Sequence, residues 1–128
     1  MDVALQQQRI QHIIDSYALA GREAEAFEGA LSVMIERYSY PLVEWALAEA
    51  LVQNWLRYPL PRGLVFLEQV ETCLQSWVET TKMSITLTAE QFEHITGLTP
   101  PEPIKNALLT HIKAQVEQRL PQNSSTAQ

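Results

Sequence analysis

Between Pro41 and Leu56 the apolar residues do not keep to one side. Leu42, Val43, Trp45, Leu47, Leu51, Val52, Trp55 and Leu56 go almost all the way round a helical wheel. A helix with that pattern has almost no face to give to water. It is predicted to run from Pro41, a good first helical position, to about Arg57. It must be either central in a bundle or partly covered by another subunit. Glu44, Glu49, Gln53 and Asn54 interrupt the same stretch, which is also too short to span a bilayer.

The neighbouring segments are plainly amphipathic. In residues 3–20, Val3, Ile10, Ile13, Ile14 and Tyr17 form one stripe, and Gly21 is placed to end the helix. A second helix, about 23–38, gathers Phe27, Ala30, Leu31, Met34, Ile35 and Tyr38 on one face, with Glu23, Glu25 and Glu28 at the positive end of its dipole. The fourth, about 64–79, stripes Phe66, Leu67, Val70, Cys73, Leu74, Trp77 and Val78 and turns Glu68, Glu71, Gln75 and Glu79 outward. The alternation in Ser84-Ile85-Thr86-Leu87-Thr88 then predicts a short extended link. Thr88 to Gln91 is a capping box for a short helix closed by Gly97. A second box, Thr99 to Glu102, should open a last helix in which Ile104, Leu108, Ile112, Val116 and Leu120 recur before Pro121 stops it. The chain is therefore expected to be all-α. An antiparallel bundle of about four helices over 3–79 and a helical C-terminal unit over 84–120 form one domain, 1–121, with a polar tail at 122–128.

Charge narrows the partners. Through Glu79 there are five Arg against eleven Asp and Glu, and the remainder is balanced, which gives the net −6. The larger part repels phosphate, so nucleic acid is not an expected partner, and neither is a membrane. A single cysteine allows no internal disulfide, and the first residues do not read as a signal peptide. A cytoplasmic protein is expected.

Motifs of chemistry are missing. The chain has no Gly-rich phosphate loop, no Gly-x-Ser-x-Gly, no Cys-x-x-Cys and no His-Glu-x-x-His. Residues three before His12, His94 and His111 are Arg9, Gln91 and Leu108, so the Glu-x-x-His pairs of a di-metal bundle are absent too. His12 falls opposite its helix's stripe, His94 follows Glu90 by four residues, and His111 flanks the last stripe. Cys73 reads as a small core residue. Trp45, Trp55 and Trp77 read as core rather than as the lining of a ligand cavity. No enzyme activity, metal or cofactor is expected; Glu90, His94 and His111 are the only groups from which a catalytic cluster could be assembled.

Two segments remain conspicuous. The connector Trp55-Leu56-Arg57-Tyr58-Pro59-Leu60-Pro61-Arg62-Gly63 combines stiff backbone with interface-favoured side chains, so Trp55, Arg57, Tyr58, Pro59, Pro61 and Arg62 are the expected partner-binding residues. Leu87 to Pro100 resembles the first helix and turn of helix-turn-helix DNA-binding domains. Glu93 stands where such motifs carry a small residue, Pro101 and Pro103 crowd the second helix, and Lys105, Lys113 and Arg119 are few for phosphate contact. The segments Asn54 to Gly63 and Thr88 to Leu98 also look like small helical proteins of unknown function from photosynthetic bacteria. That resemblance implies a non-secreted, cytoplasmic protein and supplies no activity.

The reading is of an adaptor, assembly factor or small regulatory subunit with a protein partner, self-associating through the wrap-round third helix. The alternative is a DNA-binding regulator using residues 88–120. Arg57→Ala combined with Arg62→Ala should weaken the partner complex and leave Tm nearly unchanged; a large fall in Tm would make the connector structural.

Overall fold

The computed structural model describes residues 3–56, 60–80 and 87–119. Six helices follow in order: α1 (Val3–Ser16), α2 (Ala24–Tyr38), α3 (Tyr40–Gln53), α4 (Leu64–Thr80), α5 (Ala89–Thr96) and α6 (Ile104–Arg119). They form an all-α bundle with α5 and α6 packed onto it. The third helix is the hub, in contact with each of the other five. Every residue from Leu42 to Leu51 is buried.

That burial corrects one expectation. The wrap-round apolar surface of α3 is covered by the chain's own helices, so it is not a face for a second copy. The helix also stops earlier than expected. Asn54, itself buried, caps it by donating its side-chain amide to Ala50 O at 2.7 Å. Trp55 and Leu56 lie beyond the cap and are exposed, so Trp55 is not a core residue, whereas Trp45 and Trp77 are.

Other boundaries moved for local reasons. The first helix ends at Ser16, and a turned segment leads to Gly21, which has φ +58°. Val3, placed on the stripe, is exposed, and so is Ala30 of α2. The capping box of α5 forms as expected. Gln91 N donates to Thr88 Oγ1 at 3.1 Å, Thr88 N donates to Gln91 Oε1 at 3.0 Å, and Gly97 closes the helix with φ +74°. The second box does not form. A residue before proline is steered away from helical angles, so α6 starts only after Pro103, whose carbonyl accepts from Asn106 N and Ala107 N. The predicted extended link falls outside the described residues except for Leu87 and Thr88, as do the tail and Leu120.

A set of polar anchors fixes the C-terminal unit. Tyr17 donates to Ile95 O at 2.6 Å, His12 Nε2 lies 3.1 Å from Thr96 O, and Trp45 Nε1 donates to Glu102 O at 2.9 Å. Arg9 Nη2 donates to Thr99 O. The same guanidinium holds the fully buried Glu44 on α3, with Nη2 to Oε1 at 2.9 Å and Nε to Oε2 at 3.1 Å. The Trp45 and Phe92 rings, 4.8 Å apart, add an apolar contact between α3 and α5.

Arg9→Ala would leave the Glu44 carboxylate uncompensated in the core. We expect it to lose about 3–5 kcal/mol in urea unfolding, whereas Arg9→Met with Glu44→Leu recovers most of that. A loss under about 1 kcal/mol would mean that the pair is effectively a surface ion pair.

Candidate functional site

The α3–α4 connector and a pocket between the same two helices both expose chemistry beyond packing.

The connector begins at the end of α3, where Leu56 is 96% exposed and Trp55 57% exposed. Of the exposed large apolar side chains among the described residues, these two are consecutive in the chain. The Trp55 ring meets the Tyr17 ring edge-on at 6.3 Å. Arg57, Tyr58 and Pro59 lie outside the described residues. The far end of the connector is bound to the turn between α1 and α2: Gly63 N donates to Leu19 O at 2.6 Å, and Leu64 N to Glu23 Oε1 at 3.1 Å. Glu23 thereby caps α4 from another part of the chain. Gly63 has φ +71°, and a Cβ there would run into the Glu23 carboxylate. Arg62 is exposed and donates through Nε to Tyr17 O at 3.3 Å. Pro61 is half-buried. So Trp55, Pro61 and Arg62 flank an anchored end of the connector, and the expected contact residues passed over Leu56, the most exposed of its described residues.

The pocket has a volume of about 410 Å³ and is lined by Glu49, Gln53, Glu68, Gln69, Cys73 and Trp77, among others. Glu49 is 4% exposed. Its Oε2 accepts from Gln53 Nε2 at 3.2 Å, while Oε1 has no hydrogen-bond partner. Burial pushes its carboxyl above the usual range, and the Gln53 hydrogen bond opposes this in part. Gln53 Oε1 in turn accepts from Cys73 Sγ at 3.9 Å. Burial and the nearby Glu49 charge push the Cys73 thiol up to about 11, so it is an unreactive core thiol. No group of three or more His, Cys, Asp or Glu that could hold a metal ion occurs among the described residues.

The histidines do not gather into a site. His12 is exposed on α1, and Glu90 and His94 are exposed on α5. His111 is buried on α6 against the Tyr38 ring at 5.5 Å, with Nε2 unpartnered. Burial lowers its pKa, which favours the neutral imidazole. The pocket of about 440 Å³ that His111 lines with Arg37, Tyr38 and Thr110 includes neither Glu90 nor His94.

The segment compared with a helix-turn-helix has α5 and α6 separated by residues 97–103. That motif uses about three or four residues there. No helix among the described residues is long and apolar enough to cross a membrane. No protein-family model, curated protein or solved structure matches the chain.

The titration of Glu49 is measurable through stability. A carboxyl raised by folding favours the fold below the unfolded value, about 4.3, and that contribution is lost as pH rises through the folded value. Glu49→Gln should therefore raise Tm near pH 7 and change it little near pH 4. An equal change at both would show that ionisation is not the cause.

Proposed function

We propose that this chain is a non-enzymatic protein–protein interaction module whose contact surface is the connector between α3 and α4. The observation that carries the reading is the exposed pair Trp55–Leu56. An exposed tryptophan, followed in the same segment by an exposed arginine, supplies two of the residue types enriched in interface hot spots, and the exposed leucine adds apolar area beside them. The anchoring of Gly63 and Leu64 to the α1–α2 turn supports it. A segment held at one end presents side chains with less conformational entropy to lose on binding than a free loop.

The partner is a protein, and a second copy of the chain is among the candidates. With α3 enclosed, we place self-association at this connector, where two of the exposed large apolar side chains are consecutive. Arg57, Tyr58 and Pro59 belong to the same proposed surface by their place in the sequence. The role is that of an adaptor, assembly factor or small regulatory subunit.

The test is capture of partners from native cells on the tagged full chain, with and without nuclease, comparing wild type with Leu56→Asp. Leu56 touches little of the fold, so its replacement should change stability by less than about 1 kcal/mol. We expect a stoichiometric protein, or the untagged chain itself, to be retained by wild type after nuclease and lost with Leu56→Asp. Retention by the variant would remove the connector as the contact surface. Recovery that disappears with nuclease would turn the reading to nucleic acid and residues 88–120.

A further inference from the structure

We propose that the pocket between α3 and α4 binds a small organic cation, a primary ammonium or guanidinium group, with Glu49 as counter-ion and the Trp77 indole as apolar wall. The starting observation is a buried carboxylate oxygen without a hydrogen-bond partner. Glu49 is 4% exposed, yet one of its two carboxylate oxygens has no partner. A buried carboxylate left in that state weighs against folding unless it takes up a proton or a cation or donors meet it. The same helix shows the closed alternative: Glu44, five residues earlier, receives three hydrogen-bond contacts from Arg9.

The surroundings select the sign and kind of ligand. The charged side chains facing the pocket are Glu49 from α3 and Glu68 from α4, and its described lining contains no Lys or Arg. An anion would meet two carboxylates. A neutral ligand would leave Glu49 without its counter-charge. A metal ion would need about three or more protein donors, and the described residues provide no such group. An ammonium or guanidinium needs only one carboxylate and gains from an aromatic neighbour, and Glu49 and Trp77 both line this pocket. Cys73, its thiol neutral at physiological pH, adds no competing charge. A volume of about 410 Å³ is ample for such a group with a short aliphatic chain.

Binding is linked to protons. Burial raises the Glu49 carboxyl, and a cation favours its ionised form, so affinity should fall as the solution is acidified through that raised value. The site is independent of the proposed connector surface, and Leu56→Asp should leave cation binding intact.

The experiment titrates the full chain with n-butylammonium, with methylguanidinium and with the uncharged 1-butanol, read by the Trp77 indole and Gln53 side-chain amide signals in ¹H–¹⁵N NMR spectra. The expected result is a saturable shift at both groups for at least one of the two cations and none for 1-butanol. Glu49→Gln should weaken binding about tenfold or more and abolish its pH dependence. Should that variant fail to fold, the wild-type pH profile and the 1-butanol comparison decide alone. The proposal is overturned by the absence of a saturable shift with both cations, by equal saturation with 1-butanol, or by an affinity that Glu49→Gln or acidification does not change.

Discussion

The fold depends on how one buried carboxylate near the start of its central helix is satisfied. Glu44 is completely buried on α3, the helix that every other described helix touches. An unpaired charge there would weigh heavily against the native state, and Arg9 answers it with a forked pair of donors. The guanidinium cannot move freely while it does so. Its remaining reach goes to Thr99 O, in the connector between α5 and α6. One side chain therefore sets the distance between α1 and α3 and pins the C-terminal unit over their junction.

The other anchors of that unit follow the same rule. Carbonyls at the end of a short helix and in the segment after it have no intrahelical partner, and a buried carbonyl left open is unfavourable. His12, Tyr17 and Trp45 meet Thr96, Ile95 and Glu102 in turn. These contacts join residues far apart in sequence to a helix of eight residues, too short to be stable by itself. Neither α5 nor the start of α6 is free to reorient. The surfaces we propose for binding therefore lie elsewhere, at the α3–α4 connector and in the pocket between α3 and α4.

Much of the architecture is legible from the residues because local signals agree with the packing. The stripes of α1, α2 and α4, the capping box at Thr88 and the αL glycine at Gly97 each act within a few residues, where sequence reading is strongest. The central place of α3 is legible too, since a helix apolar on every side must be enclosed. What the pattern did not separate was enclosure by the same chain from enclosure by another, which only long-range contacts decide. The box at Thr99 failed for a reason also present in the sequence: Pro101 and Pro103 forbid a helical start that the Thr and Glu alone would favour. The candidate pocket was hidden for a different reason. Glu49 and Cys73 come from different helices, and their proximity is a product of how α3 and α4 pack.

If a helix has no solvent face, any charged residue within it is buried, whichever way it points. Two such residues five apart lie about 140° from one another around the axis, so they must face different neighbours. Glu44 finds the arginine of α1. Glu49 points toward α4, where the pocket offers a glutamate, a thiol and an indole but no cation. Natural sequences are locally consistent nearly everywhere, and a departure from that consistency inside a well-packed core marks the place where stability has been given up for something else. Among the described residues such departures are Glu49 Oε1 and His111 Nε2, and for Glu49 the partner we propose has the chemistry of a cation.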